Sequence, residues 1–342
     1  MDISWHNIRD WGIEGKAWSG TIRYFDRLPA KAEKTMPSTV WDLSHSPTGM
    51  SVLFETDASS IHARWKLKLE QLNEPDFSSC AVSGLDLYAK SAGEWKWAGT
   101  ARKITARSQN QCIVEGMEPG RRRFILYLPL RNPLEELEIG IPGHSFFKPV
   151  MPRRAKPLVF YGSSIIHGAY ASRPGMVYSS ILGRWLDNPV INLGFSGNAR
   201  MEESMANLIS EINAKAYILD PLPNMDPGLV RERAENFLRI LCGKRPGTPL
   251  VFVEDGCPYS NSWLLPARKS ELAEKWKEMR LIFRNLKGKG FKNMYYVKHD
   301  GLFGGDDHEC ALDAVHPSDL GFMRIAEEIY PLLRRLCRQE KD

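Results

Sequence analysis

The hydrophobic periodicity of this chain changes once, near residue 150, and that change constrains the fold more than any other feature. Before it, apolar and polar residues alternate in short runs at 51–56, 60–69, 85–89, 94–98 and 124–128. A period of two sends one face of a strand inward and the other toward water. Glycine, proline and asparagine break the runs at 47–49, 91–93, 119–120 and 132–133. After residue 157 short apolar runs alternate with helical patterns. Strands are expected at 158–161, 190–193, 216–219, 249–253 and 293–297. Helices are expected at 176–186, 202–212, 230–241, 268–286 and 320–338. Five strands alternating with helices predict a parallel sheet. The chain therefore reads as an all-β sandwich or jelly roll over 1–150, followed by an α/β domain over 151–342. The second domain is expected to be a three-layer, doubly wound parallel sheet. A Pro-rich, basic stretch at 142–157 reads as the linker, and no internal repeat or low-complexity tract is visible.

Composition removes several function classes. Of 342 residues, 43% are hydrophobic and 25% charged, which supplies a core for each half and argues against disorder. Net charge is only +5, from 46 basic and 41 acidic residues. Basic clusters at Arg121–Arg123 and around Arg153, Arg154 and Lys156 read as solvated loop charge, so no nucleic-acid partner is expected. No apolar run approaches the roughly 18 residues of a membrane span. The N-terminus carries no basic segment followed by an apolar one. Six scattered cysteines with no C-x-x-C pair point away from zinc ribbons and toward thiols in a reducing compartment, so a cytoplasmic location is expected.

In a doubly wound sheet, chemistry gathers at the carboxyl ends of the strands. The first strand is followed by Gly162-Ser163-Ser164-Ile165-Ile166-His167-Gly168. This small-residue turn would project a nucleophile above the sheet, with backbone N–H groups nearby. It lacks the Lys of a phosphate-binding loop, and Ile166 breaks a G-x-S-x-G elbow. The second strand leads into Gly194-Phe195-Ser196-Gly197-Asn198. The third leads into Asp220-Pro221-Leu222-Pro223-Asn224, whose prolines would stiffen an amide donor. Before the last helix comes Asp313-Ala314-Val315-His316. That spacing lets the carboxylate bind Nδ1–H and turn Nε2 toward a nucleophile. Each loop taken alone is a weak signal. Their order supplies nucleophile, oxyanion donors, orienting carboxylate and base, the inventory of an acyl-transfer site.

The same residues resemble the SGNH (GDSL-like) hydrolase superfamily. Gly162-Ser163-Ser164-Ile165 is similar to the Gly-Asp-Ser-Leu block, with Ser163 in place of its aspartate. Residues 192–197, Leu222-Pro223-Asn224 and Asp313-Ala314-Val315-His316 are similar to the glycine, asparagine and terminal Asp-x-x-His blocks. Gly84-Leu85-Asp86-Leu87-Tyr88 resembles the signature of bacterial members with an N-terminal GxDLY sandwich. The resemblance implies a flavodoxin-like type for the parallel sheet, a catalytic Ser164, Asp313 and His316, and an oxyanion hole of Ser164, Gly197 and Asn224. It implies no metal or organic cofactor, and a substrate that is a short-chain ester, foremost an acetyl ester of a carbohydrate. His167, Arg173 and Tyr259 are further candidates for substrate binding, with Asn261 and Trp263 beside the last.

Other readings compete. A thioesterase or lysophospholipase would use the same residues. His299, Asp300, Asp306, Asp307, His308 and Cys310 have the residue types of a divalent-cation site but no known ligand spacing. The tryptophans of the first half, with Trp95 and Trp97 on one strand face, would suit a non-catalytic carbohydrate-binding protein. The full Ser–His–Asp set weighs against that, since a lectin needs none of it.

Overall fold

A computed structural model describes residues 2–255, 261–304 and 308–338. The chain falls into two compact units that are not collinear with the sequence. One comprises Met1–Ala30, Ser44–Ala155 and Ala171–Ile191, and the other Lys31–Leu43, Lys156–Tyr170 and Asn192–Asp342.

The first unit is a sandwich of two antiparallel sheets. Its strands are β1 (Ile3–Asn7), β2 (Ser51–Thr56), β3 (Ser60–Leu67), β4 (Asp86–Ser91), β5 (Glu94–Thr100), β6 (Ser108–Glu115), β7 (Arg122–Tyr127), β8 (Leu134–Pro142) and β9 (Phe147–Val150). They are ordered β1-β8-β3-β6 in one sheet and β5-β4-β7-β2-β9 in the other. Alternation decides which residues meet between the sheets. From β3, Ile61, Ala63, Trp65 and Leu67 turn inward to join Phe54, Leu87, Phe124, Leu126, Ile139 and Ile141. Buried indoles need an acceptor: Trp65 Nε1 donates to Ser83 O (3.0 Å) and Trp11 Nε1 to Leu53 O (2.9 Å). Trp97 stays 56% exposed, while Trp95 packs half-buried against Tyr88, Ile125 and Tyr127.

The expected linker holds a strand. Within 142–157, β9 pairs antiparallel with β2, Leu53 opposite Val150 and Thr56 opposite Phe147. Its Pro149 fits only an edge position, and β9 is the sheet's edge.

Asp86 opens β4 and is fully buried. It accepts from Arg173 Nη1 (2.7 Å), Gly175 N (2.9 Å), Thr100 Oγ1 (2.9 Å) and Trp97 Nε1 (3.2 Å). A carboxylate in a core is tolerable only with such partners. Residues 171–191, including α4 (Tyr178–Trp185), thereby join the sandwich, as α2 (Ser79–Ser83) does.

The second unit is built on five strands, β10 (Leu158–Gly162), β11 (Val190–Gly194), β12 (Ala216–Asp220), β13 (Leu250–Val253) and β14 (Met294–Val297). Their order is β11-β10-β12-β13-β14 and the pairs β10/β12, β12/β13 and β13/β14 are parallel. This is the flavodoxin-type order expected from the sequence, with its reversal between β10 and β12. Every residue of β10 and β12 is buried, which explains their continuous apolar runs. The helices are α1 (Ser38–Leu43), α3 (Ser164–His167), α5 (Glu203–Ile209), α6 (Pro227–Lys244), α7 (Pro266–Gly288) and α8 (Asp319–Arg338). The start of α6 is written in sequence: Asp226 Oδ1 caps Leu229 N at 2.8 Å, and Pro227 opens the helix. Phe322, Ile325, Ala326, Ile329, Leu333 and Leu336 bury one stripe of α8. Among the described residues, no helix is long and apolar enough to cross a membrane.

Candidate active site

The turn after β10 is held from below. Ser163 N donates to Asp220 Oδ1 (3.0 Å), and Ser163 Oγ caps α3 by accepting from Ile165 N (3.1 Å). A Cβ on Gly162 would overlap Asp220 Oδ1, so only glycine lets the two strand ends approach. Ser164, the first residue of α3, is 7% exposed. Its carbonyl accepts from Gly168 N and Ala169 N, both at 2.9 Å, closing the turn tightly.

The loop before α8 is pinned at both ends. Leu312 N donates to His316 O (3.0 Å) and Ser318 N to Cys310 O (2.7 Å). Gly321 allows the first turn of α8 to pack on Cys310 O. Within this loop Asp313 Oδ1 accepts from Val315 N (2.6 Å) and His316 N (2.7 Å), and Oδ2 lies 2.8 Å from His316 Nδ1. An ionised carboxylate only accepts, so Nδ1 carries the proton and Nε2 presents a lone pair. Ser164 Oγ sits 2.8 Å from that Nε2 and donates to it. Burial alone would raise the Asp313 pKa. The bonds from the His316 side chain and from the two backbone N–H groups outweigh burial and hold it below the usual carboxylate range.

The glycine loop is fastened to α3. Asn192 Nδ2 donates to Ile166 O (2.7 Å), and Asn192 Oδ1 accepts from Gly194 N (2.9 Å). Gly194 permits the backbones of β11 and α3 to touch at His167. Gly197 is exposed with a φ of +71°. Asn224 Oδ1 accepts from Ala199 N (3.1 Å), which ties the asparagine loop to the glycine loop. With Oδ1 so engaged, the Asn224 Nδ2 donors point away from Ala199.

The remaining sequence candidates divide. His167 is fully buried, and its Nδ1 faces Ser196 N (3.3 Å) and Ser196 Oγ (3.1 Å), bracing the loop that carries Gly197. Arg173 belongs to the sandwich unit, where it binds Asp86 and the Tyr88 hydroxyl (2.5 Å). Tyr259 lies outside the described residues, as do Asp306 and Asp307. Trp263 is exposed. His299 is engaged elsewhere: its Nδ1 lies 2.8 Å from Glu254 Oε2 and its ring stacks on Trp276 at 3.9 Å. Among the described residues, no three His, Cys, Asp or Glu side chains are grouped to hold a metal.

Two residues at the site gave no sequence signal of their own. Asp220 reads as the end of an apolar strand, yet it anchors the Ser163 backbone. Tyr170 adopts a left-handed φ of +64° and places its ring edge-on to His316, centroids 5.3 Å apart. A bulky residue in that conformation is strained by about 1–3 kcal/mol. Nothing in linear sequence marks it.

A flavodoxin-type sheet carrying serine, histidine and aspartate at its carboxyl edge defines the class of SGNH-type hydrolases. The chain belongs to the GDSL-like lipase/acylhydrolase family, whose pattern matches residues 155–334. Residues 3–147 match the N-terminal domain of SGNH-hydrolase-type esterases, known by its GxDLY signature. A crystal structure from Bacteroides ovatus ATCC 8483, provisionally described as a GDSL-like lipase, is 32% identical over 98% of both chains, with a TM-score of 0.91. A salicylyl-acyltransferase from a tetracycline biosynthetic pathway is 18% identical over 95% of both chains (TM-score 0.72). An acetyl xylan esterase from the rumen bacterium Butyrivibrio proteoclasticus is 12% identical over 98% of both (TM-score 0.58). The last two likenesses are of fold. No curated protein sequence matches the chain.

Proposed function

We propose that this protein is a serine esterase that hydrolyses short-chain acyl esters, acetyl esters foremost, carried on a saccharide. The observation that carries the reading is the hydrogen-bond line from Ser164 Oγ through His316 to Asp313. His316 Nε2 takes the Ser164 proton as Oγ attacks the ester carbonyl. Asp313, kept ionised by its backbone donors, stabilises the imidazolium. Negative charge on the carbonyl oxygen is received by the N–H groups of Ser164 and Gly197 and by Asn224 Nδ2. These donors are fixed before substrate arrives, because the three loops are bonded to one another. The imidazolium protonates the departing alcohol. Water, deprotonated by the same base, then releases the acid and restores Ser164.

The saccharide part of the reading is supported by the fold shared with an acetyl xylan esterase and with a family two carbohydrate esterase from Cellvibrio japonicus (TM-score 0.61). Cys80, Cys112 and Cys242 stand as thiols, in keeping with a cytoplasmic location.

The test compares p-nitrophenyl acetate, butyrate and octanoate with wild type and Ser164→Ala. Acetate should be cleaved fastest, and the variant should lose about 10⁴-fold or more in kcat while keeping its circular-dichroism spectrum. A folded Ser164→Ala protein that still hydrolyses acetate would overturn the reading. Preference for octanoate would move it to a lysophospholipase type.

A further inference from the structure

A cleft of about 560 Å³ opens in the second unit beside two of the site's loops. Pro223 and Val315, the direct neighbours of Asn224 and His316, form part of its wall. The first half of α7 also lines it, and there Arg268, Glu271, Leu272 and Lys275 fall on one helical face by their spacing of three and four. Leu265 and Met225 add apolar surface. No step of the ester-cleavage scheme uses this space.

Its chemistry is selective. Lys275 is buried and engaged, donating to Asp255 Oδ2 (2.5 Å) and Leu222 O (3.0 Å). Arg268 is half-buried and lines the cleft, and its Nη2 donates to Ala314 O (2.8 Å), within the loop of Asp313 and His316. Glu271 is exposed. Arginine offers only donors and glutamate only acceptors. A sugar hydroxyl is both, so a ring with several hydroxyls can engage the two side chains together and lay its C–H face on Leu265, Leu272 and Met225. An anionic group would meet Glu271 and Asp255, and the four charged side chains of the wall sum to zero. A long acyl chain would strip water from Arg268 and Glu271 without replacing their hydrogen bonds, which disfavours it there.

We propose that this cleft is the leaving-group subsite and that Arg268 and Glu271 select an uncharged, polyhydroxylated alcohol. The assignment deepens the esterase reading and rests on it for the bond that is cleaved, but not for binding.

Two substrates of similar bulk separate the ideas: 6-O-acetylglucose, with free ring hydroxyls, and cyclohexylmethyl acetate, with none. Wild type should favour the sugar ester by about tenfold or more in kcat/KM. Glu271→Ala and Arg268→Gln should each lower that ratio severalfold, and the double variant should bring it near one. Because Arg268 also holds Ala314, the ratio of the two substrates is read rather than either rate alone. A ratio near one in wild type, or a ratio unmoved by both variants, overturns the subsite. Ser164→Ala run beside them reports on the esterase reading separately: Ser164-dependent cleavage with an unmoved ratio sinks only the cleft assignment. A catalysis-independent arm follows the backbone amide NMR shifts of Arg268, Glu271 and Leu272 on titration with methyl glucoside. Shifts at these residues that vanish in the double variant support the subsite, and no shifts in wild type reject it.

Discussion

Asn224 shows how much of this site depends on single atoms. Its side chain is held at the oxygen by Ala199 N, and the proposed mechanism uses the amide nitrogen as an oxyanion donor. Asn224→Ala should lower kcat on p-nitrophenyl acetate by about 100- to 1000-fold with KM little changed, because an oxyanion donor acts mainly in the transition state. Stopped assays with matched folding controls would measure it, and a fall confined to KM would assign Asn224 to ground-state binding instead. The sequence pointed to Ser164, Asp313 and His316 in loops after the strands, and the folded chain brings the three within hydrogen-bond distance of one another. The roles of Asp220 and Tyr170 were not. Asp220 acts through a backbone N–H 57 positions away, and Tyr170 through a ring contact across 146 positions. Periodicity and motif spacing carry no record of such pairs.

Among elements, the carboxyl end of β13 and the face of α7 carry a polar network that the sequence did not announce. Glu254 is buried at the strand end. It accepts from both guanidinium arms of Arg280 (2.6 and 2.7 Å), from the Tyr296 hydroxyl (2.7 Å) and from His299 N (3.0 Å). Burial pushes its pKa up, but the bonds from His299, Arg280 and Tyr296 prevail and bring it down to about 2. A pKa depressed in the folded state contributes stability above the unfolded value, near 4.5, that is lost as pH falls toward 2. Acid unfolding followed by fluorescence should therefore steepen between pH 4.5 and 2. Glu254→Gln should lower stability at pH 7 and flatten that limb; an unchanged limb would place the acid sensitivity elsewhere. The strands of the parallel sheet and the helices α5 to α8 were legible from their apolar runs and periodicity, whereas the short α1 and α3 were not. Strand β9 was not, being four residues with a proline, and it is a strand only because β2 offers an edge.

On the scale of the molecule, the chain does not keep its halves apart. Residues 171–191 follow the nucleophile turn in sequence yet pack in the sandwich, and Lys31–Leu43 goes the other way. The Asp86–Arg173 pair spans 87 positions and closes the first of these excursions. Removing one partner of a buried pair typically costs about 3–5 kcal/mol. Asp86→Ala should lower stability by about 3 kcal/mol, the smaller figure because Arg173 keeps some contact with water. Urea unfolding would measure it, and a loss below about 1 kcal/mol would mean the Gly175 and Thr100 bonds carry no weight either.

The sequence alone determined the two kinds of architecture and the loops in which the candidate site residues lie. Those features follow from local patterning, since a period of two or of 3.6 and a run of small residues act within a few positions. Tertiary structure alone decided that His167 is buried behind its loop, that Arg173 serves Asp86, and that a cleft lined by Arg268 and Glu271 opens beside the asparagine and histidine loops. Each of these depends on which distant groups share one small volume, and only the packed chain sets that.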